Sequence, residues 1–162
     1  MGIFDKILGK KEIEFLMPLK GEIVDLTETP DEVFSTKMMG DGFAIKPAKD
    51  KQVCAPLAGE IVSIFPTNHA LGLKTEEGIE ILIHVGLDTV NLKGEGFTAH
   101  VKAGDKVQAG DLLLEVDFDN IEPKVPSIIT PVIFTAIDGY KFEVVKGNKE
   151  LKEKNVVKIT KG

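Results

Sequence analysis

From Ile13 onward the apolar residues come in short runs, often alternating with polar ones and punctuated by Gly, Pro and Asp. Alternation with a period of two is the signature of half-buried strands. Nine segments carry it: residues 21–26, 42–47, 59–65, 69–75, 79–85, 110–117, 130–135, 141–145 and 155–160. No long stretch repeats at helical spacing. Only residues 30–38 (PDEVFSTKM) and 117–124 (DFDNIEPK) offer room for a helical turn. Strands at regular spacing with frequent turns predict an all-β chain folded as an antiparallel sandwich or barrel with little helix.

Residues 1–11 depart from this pattern. Ile3, Phe4, Ile7 and Leu8 fall on one helical face with Lys6, Lys10 and Lys11 around it. That is the pattern of a short amphipathic segment able to touch an anionic membrane surface, or of a flexible tail. The expected organisation is therefore a tail over residues 1–12 and a single domain over residues 13–162.

An internal repeat sharpens the fold. Residues 18–24 read PLKGEIV and residues 56–62 read PLAGEIV, six of seven positions identical at a spacing of 38. The repeat predicts two equivalent strands and a duplicated β motif. At the same spacing Cys54 aligns with Leu16, which makes it a core filler rather than a nucleophile. In VKAGDKVQAGD the triplet Ala-Gly-Asp recurs six residues later, predicting paired Gly-Asp turns like the hammerhead of biotinyl and lipoyl domains.

Composition narrows the function. The chain has 162 residues, 20 Lys and Arg against 26 Asp and Glu, one Cys and three His. It is long enough to bury its own core without a disulfide or structural metal. Net acidity with no basic stripe argues against nucleic acid. The longest apolar runs fall short of a bilayer span, and no signal-peptide pattern follows Met1. A cytoplasmic protein is expected, and any histidine chemistry must come from His69, His84 or His100.

The informative segment is Thr67–Thr89. Two strand patterns flank Thr75-Glu76-Glu77-Gly78. In the second, Ile79, Ile81, Ile83 and Val85 form the core face, with Glu80, Leu82 and His84 opposite. In the first, His69, Leu71 and Leu73 share a face. If Glu76-Glu77 is a two-residue turn, His69 lies directly opposite His84 and Leu71 opposite Leu82, and the imidazoles can share a proton, a phosphoryl group or a metal ion. Glu-Glu suits a primed hairpin turn poorly, however. A type I turn with Gly78 in a bulge fits the residues better, and shifts the register by one, separating the histidine faces. Both registers stand at this level. Thr67, two residues before His69, can hydrogen-bond its ring, and the Gly86 carbonyl lies two residues beyond His84. His100, before a Gly-Asp turn, reads as a surface residue.

At these residues the chain resembles glucose-type enzyme IIA, the phosphocarrier of the bacterial phosphoenolpyruvate-dependent sugar phosphotransferase system. The run Gly78-Ile-Glu-Ile-Leu-Ile-His84-Val-Gly86-Leu-Asp88-Thr89 is similar to its active-site signature. Pro30-Asp-Glu-Val-Phe34, Met39-Gly-Asp41-Gly-Phe-Ala-Ile45, Thr67-Asn-His69-Ala70 and Leu92-Lys-Gly-Glu-Gly-Phe97 agree with it, so that the likeness covers about residues 14–162. The start MGIFDKI resembles free-standing members, which implies a separate subunit. The resemblance implies that His84 accepts the phosphoryl group on Nε2, His69 stabilises it, Thr67 orients His69 and the Gly86 carbonyl sets the His84 tautomer. It implies Asp41 and Asp88 as acidic contacts to the donor, the phosphocarrier HPr. The acceptor is a cysteine of a IIB domain, and no cofactor or metal is needed. The implied fold is an antiparallel sandwich with a duplicated hybrid motif.

The chemistry agrees with these roles. A neutral imidazole with one nitrogen's proton fixed presents the other as nucleophile. Phosphoryl transfer asks mainly for positioning and charge stabilisation, which a second imidazole supplies. No P-loop is visible, so direct use of ATP is not expected. Leu71 and Leu82, taken as exposed, would form an apolar collar for both partners in place of the phenylalanines common in relatives. Three other readings compete. A lysostaphin-type zinc peptidase needs three ligands, and the His-x-His and His-x3-Asp pairs are missing. A biotinyl or lipoyl carrier would use Lys37, where Lys37-Met38-Met39 only approximates the modified hairpin. A purely regulatory binding module would not need Thr67, His69, His84 and Gly86 together.

Overall fold

The computed structural model describes residues 12–137 and 139–162. The amphipathic pattern over residues 1–11 lies outside these. Fourteen strands follow in order: β1 (Glu12–Phe15), β2 (Gly21–Asp25), β3 (Asp41–Pro47), β4 (Gln52–Cys54), β5 (Gly59–Ile64), β6 (Ala70–Lys74), β7 (Glu80–His84), β8 (Phe97–Ala99), β9 (Lys106–Val107), β10 (Leu112–Val116), β11 (Thr130–Ala136), β12 (Tyr140–Val144), β13 (Gly147–Lys149) and β14 (Val157–Lys161). All nine strand segments read from alternation are strands. Helical turns at Glu32–Ser35 and Phe118–Ile121 fall in the two segments expected to hold them. Glu12, the last residue of the expected tail, belongs to β1. Among the described residues no helix is long and apolar enough to cross a membrane.

The strands form an eight-stranded sheet in the order β13-β2-β3-β11-β7-β6-β5-β9 and two three-stranded sheets, β1-β14-β12 and β4-β10-β8. Their ladders are antiparallel. The inner face of the large sheet (Ile23, Phe43, Ile45, Ile61, Leu71, Ile83) packs against Phe15 and Ile159 of one small sheet and Val53 and Leu114 of the other, in one main core. This is a β-sandwich. A second, smaller cluster lies on the outer face of the large sheet, where Leu82, Ala44, Ala70 and Ile133 meet Phe34 of the first helical turn.

The sequence repeat is a structural two-fold. Leu16 N–H donates to the Pro56 carbonyl at 3.0 Å, and Cys54 N–H, 38 positions on, donates to the Pro18 carbonyl at 2.7 Å. Met17 N–H reaches the Glu153 carbonyl as Ala55 N–H reaches that of Asp111, at 3.0 and 2.8 Å. The repeated glycines explain themselves: a Cβ at Gly21 would stand 2.3 Å from the Lys46 carbonyl oxygen, and one at Gly59 2.4 Å from that of Lys74. Only glycine lets the neighbouring strand approach so closely. The two Gly-Asp turns are also present, with Asp105 and Asp111 carboxylates accepting from the Lys102 and Gln108 N–H groups. Cys54 is buried in the core, and burial raises its thiol pKa, consistent with a filler role.

Candidate functional site

The hairpin takes the bulged register. Lys74 pairs with Glu80, Leu73 with Ile81, Leu71 with Ile83 and Ala70 with His84. The turn closes with Gly78 N–H on the Thr75 carbonyl at 3.0 Å, and Gly78 sits at φ +90°. Turn chemistry thus prevails over the two-residue turn that would have set His69 directly opposite His84.

The histidines nevertheless meet. His69 precedes β6, directly after Asn68 at φ +60°. His69 therefore lies outside the regular strand, which begins at Ala70, and the face rule does not extend back to it. Its carbonyl still accepts from Val85 N–H at 2.8 Å, which ties it to the end of β7. The methyl of Ala70, opposite His84, leaves room for a second ring. The two imidazole centroids are 5.0 Å apart with planes at 79°.

Each ring has one nitrogen committed. Thr67 Oγ1 and His69 Nδ1 are hydrogen-bonded at 2.6 Å. His84 Nδ1 donates to the Gly86 carbonyl at 2.8 Å. A carbonyl can only accept, so the neutral His84 ring carries its proton on Nδ1 and its lone pair on Nε2. Burial holds His69 at a pKa of about 4, with the adjacent His84 adding like-charge repulsion. Burial also lowers His84, opposed by its bond to Gly86 and by the carboxylates of Asp31 and Asp88. Both rings are neutral near pH 7.

Two phenylalanines complete the stack. Phe34 lies 5.1 Å from the His84 ring, and Phe65 lies edge-on to His69 at 5.0 Å. Both histidines open into a shallow depression of about 180 Å³ shared with Asp31, Val33, Leu87, Asp88 and Val90. Val33, Val90 and Phe65 are 42%, 51% and 39% exposed, an apolar rim around the imidazoles.

Leu71 is fully buried in the main core, because the bulged register turns it inward opposite Ile83. Leu82 shares the face of His84 but packs in the small cluster with Phe34 and is only 7% exposed. Neither can form a collar. Phe34 and Phe65 flank the histidines instead, brought in by the helical turn and by the loop after β5. Asp41 does not line the depression; its carboxylate accepts from Gly42 N–H and faces Lys37 Nζ at 3.3 Å. It sits level with Phe134 and Ile81, two strands from β7 and away from His84. Asp88 is at the depression as expected, and Asp31 is its acidic companion. Asp31 also caps the helical turn, accepting from Val33 N–H at 2.8 Å. The signal for Asp31 and Phe34 was their shared turn, Pro30-Asp31-Glu-Val-Phe34. His100 is exposed as expected but bonds Glu115 Oε1 at 2.7 Å. Among the described residues no three His, Cys, Asp or Glu side chains form a metal-ligand set.

Residues 13–140 match the family model for the phosphoenolpyruvate-dependent sugar phosphotransferase system, EIIA 1. The glucose-specific EIIA component of Halalkalibacterium halodurans is 59% identical over 121 residues, 75% of this chain and 69% of that protein. The glucose-specific EIIA component of Mycoplasma capricolum is 48% identical over 151 residues, 93% of this chain and 97% of that protein. The glucosamine-specific EIICBA component of Bacillus subtilis is 60% identical over 121 residues, but these make up only 19% of its length. The solved structure of glucose permease IIA from Mycoplasma capricolum superposes with a TM-score of 0.86 at 44% identity, covering 91% of this chain and 96% of that one. An all-β sandwich with a paired-imidazole site and these relatives define a phosphocarrier, a transferase component of sugar uptake. The chain belongs to the phosphoenolpyruvate-dependent sugar phosphotransferase system EIIA 1 family.

Proposed function

We propose that His84 is the phosphoryl acceptor, through Nε2, and that the donor is phospho-HPr. The observation carrying this is the His84 Nδ1–Gly86 carbonyl bond of 2.8 Å, which leaves the Nε2 lone pair as the nucleophile. In the transfer the Nε2 lone pair forms the new N–P bond as the bond to the donor nitrogen breaks, and the donor imidazole keeps that electron pair. His69 is the stabilising partner. With the Thr67 hydroxyl donating to Nδ1, the ring proton of His69 lies on Nε2, where it can bond a phosphoryl oxygen. The reverse chemistry then delivers the group to the thiolate of a IIB-domain cysteine.

Asp31 and Asp88, rather than Asp41, meet a cationic group of the donor beside the depression. The apolar rim of Val33, Val90 and Phe65 supplies the docking contact. The protein works in the cytoplasm as a soluble shuttle, and contact of residues 1–11 with an anionic membrane surface rests on their sequence pattern alone. The sugar served is that of the permease carrying the IIB domain.

The test is phosphorylation by phosphoenolpyruvate, enzyme I and HPr with each histidine replaced in turn. His84→Ala is expected to take up no label. His69→Gln is expected to accept label and fail to pass it to a IIB domain. Label retained in His84→Ala and lost in His69→Ala would overturn the assignment.

A further inference from the structure

The Gly86 carbonyl can set the His84 tautomer only if the backbone after β7 is held still, and the residues that hold it form a definite set. Val85 N–H is engaged by the His69 carbonyl at 2.8 Å, and Leu87 N–H by the Ser127 carbonyl at 2.9 Å. Between them, the Val85 carbonyl accepts from Thr89 Oγ1 at 2.7 Å. Thr89 is completely buried. Its methyl also touches the turn: a Cβ at residue 86 would lie 2.6 Å from Thr89 Cγ2, and Gly86 is at φ +75°. One side chain thus fixes the Val85–Gly86 peptide by its hydroxyl and closes the space beside Gly86 by its methyl.

We infer that Thr89 is a positioning residue for phosphoryl transfer: its buried hydroxyl, through the Val85 carbonyl, holds the Gly86 carbonyl in line with His84 Nδ1. The inference rests on His84 as acceptor for its consequence in transfer, but not for its consequence in ring protonation. Removing a Thr89 hydroxyl that only stabilised the fold would leave the tautomer unchanged. Removing one that positions Gly86 alters it. Without the hydroxyl the Val85 carbonyl is unpaired, the peptide rotates to find another donor, and the His84 proton distributes between Nδ1 and Nε2. The fraction of rings with a free Nε2 lone pair falls accordingly.

The test is nitrogen NMR of the unphosphorylated histidine rings in Thr89→Val, which keeps the shape and removes the hydroxyl, and in Thr89→Ser, which keeps the hydroxyl and removes the methyl. His84 in the parent and in Thr89→Ser is expected to show a single Nδ1–H tautomer. Thr89→Val is expected to show mixed tautomers. Transfer from phospho-HPr should slow about tenfold in Thr89→Val, the factor one ordinary hydrogen bond supplies, and stay within about twofold in Thr89→Ser. A folded Thr89→Val with a pure Nδ1–H ring and parental transfer overturns the inference. If Thr89→Val does not fold, Thr89→Ala replaces it in the comparison with Thr89→Ser, and identical tautomers in those two overturn it. Failure of His84 to accept phosphate would overturn the acceptor assignment while leaving the tautomer result to be judged alone.

Discussion

Burying an imidazole that cannot take a proton has a measurable consequence for stability. His69 titrates near its ordinary value of 6.5 in the unfolded chain and at about 4 in the folded one. Between those values only the unfolded state binds the proton, so unfolding takes up protons and stability falls as pH falls. The loss begins as pH drops below about 6.5 and levels off below about 4, where both states are protonated. The displacement corresponds to about 3–4 kcal/mol at the limit, most of it reached by about pH 4.5. His84, also lowered by burial, contributes with the same sign. In His69→Gln the group at this position no longer titrates, and the like-charge effect on His84 disappears as well. The lost ring contacts with Phe65 and His84 shift the variant's stability by an amount that does not depend on pH in the neutral range. Carboxylate titrations are common to both proteins and cancel in the difference. Urea unfolding of the two proteins at constant ionic strength, from about pH 7.5 to about pH 4.5, should therefore show the gap between them closing or reversing by about 2–3 kcal/mol. Parallel stability curves would show that His69 is protonated as readily in the fold as in water, and would refute the burial argument.

Other positions give independent checks. Gly86→Ala places a methyl 2.6 Å from Thr89 Cγ2 at φ +75°; left-handed strain and overpacking together predict a loss of about 3 kcal/mol in urea unfolding, with loss of transfer. Thr29→Val should raise stability by about 1 kcal/mol, because the Thr29 hydroxyl is buried without a hydrogen-bond partner and valine removes that burden at nearly constant shape; a calorimetric loss of that size would contradict it. Asp88→Asn and Asp31→Asn should each slow transfer from phospho-HPr about three- to tenfold and weaken its salt dependence, whereas Asp41→Asn should behave as the parent. The opposite ranking in a rapid-mixing transfer assay would restore Asp41 to the site.

Strand content was legible because alternation is strong where one face of a sheet is buried. Ile79, Ile81, Ile83 and Val85 show this plainly, all at 0–1% exposure. The short strands β1, β4, β8, β9 and β13 have only two to four residues and carry too little alternation to be seen alone. The duplication was legible from PLKGEIV and PLAGEIV, since the same close approach requires the same glycine at both places. At the spacing of 38, Thr29 aligns with Thr67 and Asp31 with His69. Thr67 bonds a histidine ring, while the hydroxyl of Thr29 is left without a partner.

The local hydrogen bonds of the site were legible in the sequence, and its wider geometry less so. Thr67, His69, His84 and Gly86 stand as expected because their bonds span two residues and depend on local backbone. The hairpin register turned on Gly78, for which turn chemistry was the better guide. The histidine contact in that register comes from His69 lying just outside regular β6, where alternation gives no guide. Leu71 and Leu82 are buried for different reasons, one by the register and the other by a covering turn about fifty residues away in sequence. Asp31, Phe34 and Phe65 reach the histidines only through the tertiary fold. Asp41 belongs to a matched motif but lies on β3, outside the depression that Asp88 lines.

Phosphoryl transfer at this site turns on one atom, His84 Nε2. In protein labelled with ¹⁵N-histidine and phosphorylated through enzyme I and HPr, a ³¹P–¹⁵N one-bond coupling is predicted at Nε2 of His84. His69 should stay unmodified and keep its Nδ1 bonded to Thr67. Coupling at Nδ1 of His84, or at either nitrogen of His69, would contradict it.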